Sequence, residues 1–360
     1  MKKNLIVFGI SALLIGASIF TACTKEGPVG PAGPAGTNGT NGTNGKDASI
    51  TCGQCHDETD GLTSAIKQYE ESKHYEGEAF TEGYNGSCSP CHCSQGFVEA
   101  VTKNILNASG YAAPAPVNCR TCHKIHETYE AADLSLRTVA AVRNRQDSTN
   151  TSMMFNFGKG NLCTNCHQAR TVSPKVDVAV ATYKITSNRF GPHHGPQANM
   201  LNGYKKSGAV ELGTNYVTLN PHATDVANGC VQCHKTATAA DIPGGHTFKI
   251  SYTTAVNPVK PTDYTYTFTS CAPCHSAADA KSFLISTQTE TVASLATLKA
   301  KLVAAGLLNA STDLAVPGTF NSAYAAAFLN YKFVEEDKSF GVHNPWYIKV
   351  LLANSIAALP

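Results

Sequence analysis

Six times the chain spells Cys-x-x-Cys-His: at Cys52, Cys55 and His56; Cys88, Cys91 and His92; Cys119, Cys122 and His123; Cys163, Cys166 and His167; Cys230, Cys233 and His234; and Cys271, Cys274 and His275. With 14 Cys and 13 His in 360 residues, chance supplies roughly 0.02 copies of such a pattern. The pattern is the attachment signature of c-type haem: two thiols close thioether bonds to one porphyrin, and the His that follows reaches its iron. Positions i, i+3 and i+4 share one face of a helical turn, so a single turn brings all three groups to one haem. A zinc site has no use for a His directly after every pair, and a thioredoxin-like site carries one motif in a βαβ unit, not six. The reading is therefore six covalently bound c-type haems with their iron.

Six irons leave six further axial positions. Outside the motifs stand His74, His126, His193, His194, His222, His246 and His343. Adjacent His193 and His194 face different directions and supply one ligand between them, which leaves one His for every iron. Met153, Met154 and Met200 are the weaker alternatives, because sufficient His is present. Cys93, directly after His92, is the one thiol without a role.

The N-terminus speaks for export. Lys2 and Lys3 precede an apolar stretch over residues 5–20, too short for a comfortable membrane span, and small residues follow up to Cys23. Ile19-Phe20-Thr21-Ala22-Cys23 resembles a bacterial lipobox, with Phe20 in place of the usual Leu, and points to lipidation of Cys23 after removal of residues 1–22. Gly27 then opens seven Gly-x-y triplets ending at Asp47. The period is collagen-like, but the Pro content is too low for a firm triple helix, so residues 23–48 are expected to form a lipidated Cys and an extended tether. No other run of about 18 apolar residues occurs.

Residues 49–280 form the expected hexahaem region. Its motif starts are separated by 36, 31, 44, 67 and 41 residues, and no sequence repeat accompanies them. At that density porphyrins supply much of the apolar interior, and the expected fold is mainly α, with extensive loops wrapped around six haems and little or no β-sheet. Short β-like runs stand at residues 176–186, 247–252 and 264–268. The segment 281–360 reads as amphipathic helices: Leu295, Leu298, Leu302 and Val303 fall at helical spacing, as do Tyr324, Phe328 and Tyr331, and Asn344 followed by Pro345 starts a last helix. These helices are expected to pack on the haem domain, and the apolar last one leaves a homo-oligomer open.

The formal charge of +2 is outweighed by the propionates of six haems, ionised at neutral pH. An acidic holoprotein is no partner for nucleic acid.

A more specific resemblance rests on several segments. They are Leu162-Cys-Thr-Asn-Cys-His-Gln, Gly191-Pro-His-His-Gly-Pro-Gln-Ala-Asn-Met-Leu, Asn220-Pro-His-Ala, Gly244-Gly-His-Thr-Phe, Tyr69-Glu-Glu-Ser-Lys-His74 and Gly341-Val-His-Asn-Pro345. Together they resemble the multihaem cytochrome superfamily of pentahaem nitrite reductases and octahaem hydroxylamine oxidoreductase-like proteins, across residues 52–360. The resemblance implies distal ligation by His74, His222, His246 and His343, and a C-terminal helical bundle. It does not choose between His193 and His194, and His126 rests mainly on its spacing from His123. The departures bear on function. The chain has no Cys-x-x-Cys-Lys motif of the nitrite reductase catalytic haem, and it has six haem motifs, not eight.

The sequence thus favours an exported lipoprotein, at the outer membrane or cell surface, that passes electrons between redox partner proteins, or to an extracellular acceptor, in anaerobic respiration. No residue is assigned a catalytic role. The alternatives are a reductase of a nitrogen or sulfur oxyanion with one open iron, and a subunit of a conductive haem filament.

Overall fold

The computed structural model describes residue 56 and residues 60–147, 153–236, 244–253 and 263–360. The expected export signal, Cys23, the Gly-x-y segment, Cys52 and Cys55 lie outside the described residues. No described helix is long and apolar enough to cross a membrane.

The fold is mainly helical, with long loops. The α-helices of six residues or more among the described residues are α1 (Asp60–Glu70), α2 (Ser94–Lys103), α3 (Gln197–Asn202), α4 (Ala277–Ala304), α5 (Ser322–Asp337) and α6 (Pro345–Ala357). The three β-like runs each hold one short strand, β1 (Thr182–Ile185), β2 (Ser251–Tyr252) and β3 (Thr265–Tyr266), and a fourth, β4 (Gly318–Asn321), lies in the C-terminal segment where only helices are expected. They pair antiparallel as β1 with β4, Tyr183 opposite Phe320, and β2 with β3. Neither pair grows into a larger sheet, as expected of segments with no apolar face long enough to cover.

The C-terminal helices start where the sequence supplies caps. Ser276 Oγ accepts from Asp279 N at 3.1 Å and opens α4 directly after the last motif His. Asn321 Oδ1 accepts from Ala323 N at 2.8 Å and opens α5. Asn344 Oδ1 accepts from Tyr347 N at 3.3 Å, and Pro345 occupies the first turn of α6, where a missing N–H is harmless.

These three helices hold the main core. Leu298 and Leu302 of α4, Phe328, Phe333 and Val334 of α5, and Tyr347, Ile348, Leu351 and Leu352 of α6 are all buried. Full burial of each such side chain contributes about 1.5–3 kcal/mol before entropy is counted. Strand β1 adds Tyr183 and Ile185, and α3 adds Met200. The loop at residues 207–214 is fastened to the bundle by polar side chains. Asn330 both accepts from Val210 N at 2.8 Å and donates to Val210 O at 2.7 Å, and Asn354 Nδ2 donates to Leu212 O at 2.7 Å. Side-chain amides thus satisfy backbone groups that no sheet or helix would satisfy.

The rest of the described chain has no comparable core. Its one further cluster is small: Val142, Phe155, Phe157, Ala198 and Leu201. Leu62, Ile66, Tyr84, Ile105, Tyr129 and Leu134 all stand exposed. What this region does contain is a series of single helical turns at the motifs.

Candidate functional site

Each motif described in full closes the turn that its spacing requires. The His N–H donates back to the carbonyl of the first Cys in four of them: His92 to Cys88 at 3.1 Å, and His123 to Cys119, His167 to Cys163 and His275 to Cys271, each at 2.9 Å. The motif at residues 230–234 is itself a helix, Cys230–His234. Both thiols and the His of one motif therefore face the same side.

Opposite every motif His stands a second His ring. Ring centroids are 6.3 Å apart for His56 and His126, 5.9 Å for His74 and His167, 6.0 Å for His92 and His193, 6.2 Å for His123 and His246, and 6.4 Å for both His222 with His275 and His234 with His343. Two imidazoles bound to opposite faces of one metal at about 2 Å per nitrogen have centroids roughly 6 Å apart. The donor chemistry and spacing fit six bis-His haems. Among the described residues no group of three or more His, Cys, Asp or Glu is arranged to hold a bare metal ion.

Hydrogen bonds set which ring nitrogen is free. Nδ1 of His92 lies 3.0 Å from Ala79 O, that of His123 2.6 Å from Leu134 O, and that of His234 2.9 Å from Phe248 O. His222 Nδ1 lies 3.1 Å from Val342 O, and His167 Nδ1 3.2 Å from Gln197 Oε1. A proton on Nδ1 donated to such an oxygen leaves the Nε2 lone pair for iron. Burial acts in the same direction. It pushes His74 down to about 4, with the nearby His167 adding to the effect, and His246 down to about 4, with Lys235 and His123 adding. Burial also lowers His167, His222 and His234, so these rings are neutral, the form a metal takes. His343 differs. Burial lowers it, but the charge and hydrogen bond of Asp337 outweigh burial and raise it.

The adjacent pair of His separates cleanly. His193 faces His92, while His194 turns outward and places Nδ1 3.0 Å from Glu336 Oε2. Of the seven candidate distal His, His194 is the one not set against a motif ring. His193 has φ +65° and His126 has φ +62°. Non-glycine residues in this left-handed region carry strain that surrounding structure must hold, and such strain gathers at functional positions.

Sequence reasoning missed several supporting residues. Phe248, at φ +57°, packs its ring 5.1 Å from His74 and 6.1 Å from His246, while its carbonyl receives His234. One residue thus touches the His sets of the third, fourth and fifth motifs. Gln68 of α1 accepts from His246 N at 2.9 Å, and a Cβ on Gly245, at φ +52°, would lie 2.1 Å from the Gln68 amide oxygen. Only glycine fits beside that anchor. No periodicity marks either residue; the Gly-Gly before His246 is the one available signal.

The motifs also touch one another. Cys91 Sγ lies 3.6 Å from Asn165 O and Cys166 Sγ 3.6 Å from Pro90 O, a reciprocal contact between the second and fourth motifs. Cys230 Sγ lies 3.9 Å from Gly160 O at the turn leading into the fourth motif. His222, paired with the sixth motif, is bonded through the carbonyl of Val342, next to His343 of the fifth. His126, paired with the first motif, follows His123 of the third by three residues.

No protein-family model matches the chain, and no curated protein matches it. Among solved structures the chain is similar to the crystal structure of the outer cell wall cytochrome OcwA, at 21% identity and a TM-score of 0.48, over 82% of this chain and 50% of that one. The chain thus matches half the length of that protein.

Proposed function

We propose that the chain is a hexahaem c-type cytochrome that transfers electrons through bis-His haems. The observation that carries this reading is the set of six opposed His pairs with centroids 5.9–6.4 Å apart, one per motif. When bound, each haem supplies a one-electron couple at its iron. The chain's residues attach it through two Cys, fill both axial positions and fix the ring tautomers. The distal ligands are His74, His126, His193, His222, His246 and His343. Contacts linking the first motif to the third, the second and third to the fourth, the fourth to the fifth, and the fifth to the sixth form the continuous succession that a relay needs. A reductase needs an iron with one free position, and every motif His here already faces another His.

The partners in this reading are redox proteins on either side, or an extracellular acceptor. The N-terminal sequence supports export and a lipid anchor at Cys23, with a tether holding the haem region away from the membrane.

EPR of the fully oxidised holoprotein tests the reading, with six haems counted independently. Every haem should be low-spin. The interplanar angle of 26° between His56 and His126 and of 84° between His222 and His275 should appear as a rhombic and a strongly anisotropic low-spin signal, respectively. A stoichiometric high-spin signal would replace the relay with a reductase.

A further inference from the structure

Five of the recorded Nδ1 acceptors around these His pairs are neutral: four backbone carbonyls and the Gln197 amide. The sixth is not. His343 Nδ1 lies 2.7 Å from Asp337 Oδ1, and the Asp337 side chain is fully buried.

The position is an unfavourable one for a carboxylate. Asp337 is the last residue of α5, so it sits at the negative end of the helix dipole. Its other oxygen accepts from Ser339 Oγ, and His343 is its one ion-pair partner among the described residues. Neighbouring charges are engaged elsewhere: Lys338 with Glu335, and Lys332 with Glu335 and Glu336. A buried carboxylate without a cation is costly. The positive charge available to balance it is the ferric iron that His343 would bind.

We propose that Asp337 acts through His343 to make the haem of the fifth motif the lowest-potential centre of the six. This inference rests on the bis-His reading above. A full negative charge accepting the Nδ1 proton gives the imidazole anionic character, raises its donation to iron and favours the ferric state. Carbonyl and amide acceptors do this far less. Asp337 is a positioning residue, since it meets the iron only through the ring it holds. The consequence is a thermodynamic step on the relay between the fourth and sixth motifs, and this centre is the last to be reduced.

The test is a potentiometric titration of the haem-loaded protein, followed by EPR at poised potentials, on wild type and Asp337→Asn. Asn keeps an acceptor oxygen of similar shape and removes the charge. The signal lost in His343→Met identifies the centre. In wild type it should be the last to reduce, and in Asp337→Asn it should move up while the other five hold. The proposal is overturned if that centre is not the last to reduce, or if the substitution leaves its potential in place. Should Asp337→Asn fail to load haem, Ser339→Ala decides the matter. It leaves the carboxylate and removes the hydroxyl that shares its charge, so the same centre should move further down; no movement overturns the proposal. Haem count and spin state in the wild-type sample report on the bis-His reading separately.

Discussion

The C-terminal bundle and the motif-bearing loops solve the same problem by opposite means. In the bundle α4, α5 and α6 bury Leu298, Leu302, Phe328, Phe333, Tyr347 and Leu351 against one another, and β1 and the segment around Val210 join them. Among the described residues, the stretches 60–167 and 220–275 contribute few buried apolar side chains, and apart from α1, α2 and the β2–β3 pair their regular structure is short turns, several of which carry Cys and His. A polypeptide that orders so many residues needs apolar burial to offset the lost entropy. The bundle supplies its own, and in the proposed function the porphyrins supply it for the loops. The same division explains the chemistry: the bundle supplies rigid ends, such as Asp337 and His343 beside α5 and α6, against which the ligand loops are set.

The largest test of this contrast is to produce the chain without haem attachment. Hydrogen exchange should then show residues 60–167 and 220–275 without protection, while α4, α5, α6 and β1 stay slow. Equal loss in both regions would mean that the bundle also depends on haem.

A smaller break is made inside the bundle. Phe328 is fully buried and stacks on Phe190 with centroids 5.7 Å apart. Phe328→Ala should cost about 3–5 kcal/mol through lost burial and the cavity left behind, read as a lower thermal midpoint for the helical signal. Haem absorption in the folded variant should be unchanged, since the ring contact of Phe328 is with Phe190 and it lies in the apolar cluster of the bundle.

On the loop side the adjacent His pair offers a matched comparison. His193→Ala should convert one haem of the six to high-spin or to a weak-ligand form, visible by EPR. His194→Ala should leave all six low-spin, because its ring is engaged with Glu336. The reverse result would exchange the two roles.

These differences follow what could be read in advance. Asn344 with Pro345, and the spacing of Leu295, Leu298 and Leu302, marked the helices because caps and apolar periodicity are local signals. The α4 helix starts at Ala277, within the segment first counted with the haems, because Ser276 caps it immediately after His275. The motif turns were legible for the same reason, since i, i+3 and i+4 need only one turn. The pairing of His74 with His167, or of His123 with His246, was not. It depends on the path of irregular loops, where no period exists, and on single contacts such as Gln68 with the backbone of His246. The facing of β1 and β4 is equally non-local. The choice of His193 over His194 turned on Glu336, a residue distant in sequence that offers no signal near either His.

The smallest effect concerns charge on the bundle surface. Lys349 of α6 and Glu290 of α4 lie 2.8 Å apart, with side chains 71% and 59% exposed. At that exposure water screens the pair, and holding two long side chains together offsets much of the attraction, so Lys349→Ala should change stability by less than about 1 kcal/mol. The measurement is a chemical denaturation of the holoprotein followed by helical circular dichroism, at low and high salt. A small, salt-insensitive change would mean that α4 and α6 are joined by the apolar contacts between them. A loss approaching that of Phe328→Ala would mean that the bundle owes its independence to charge, and its contrast with the loops would then rest on a different force.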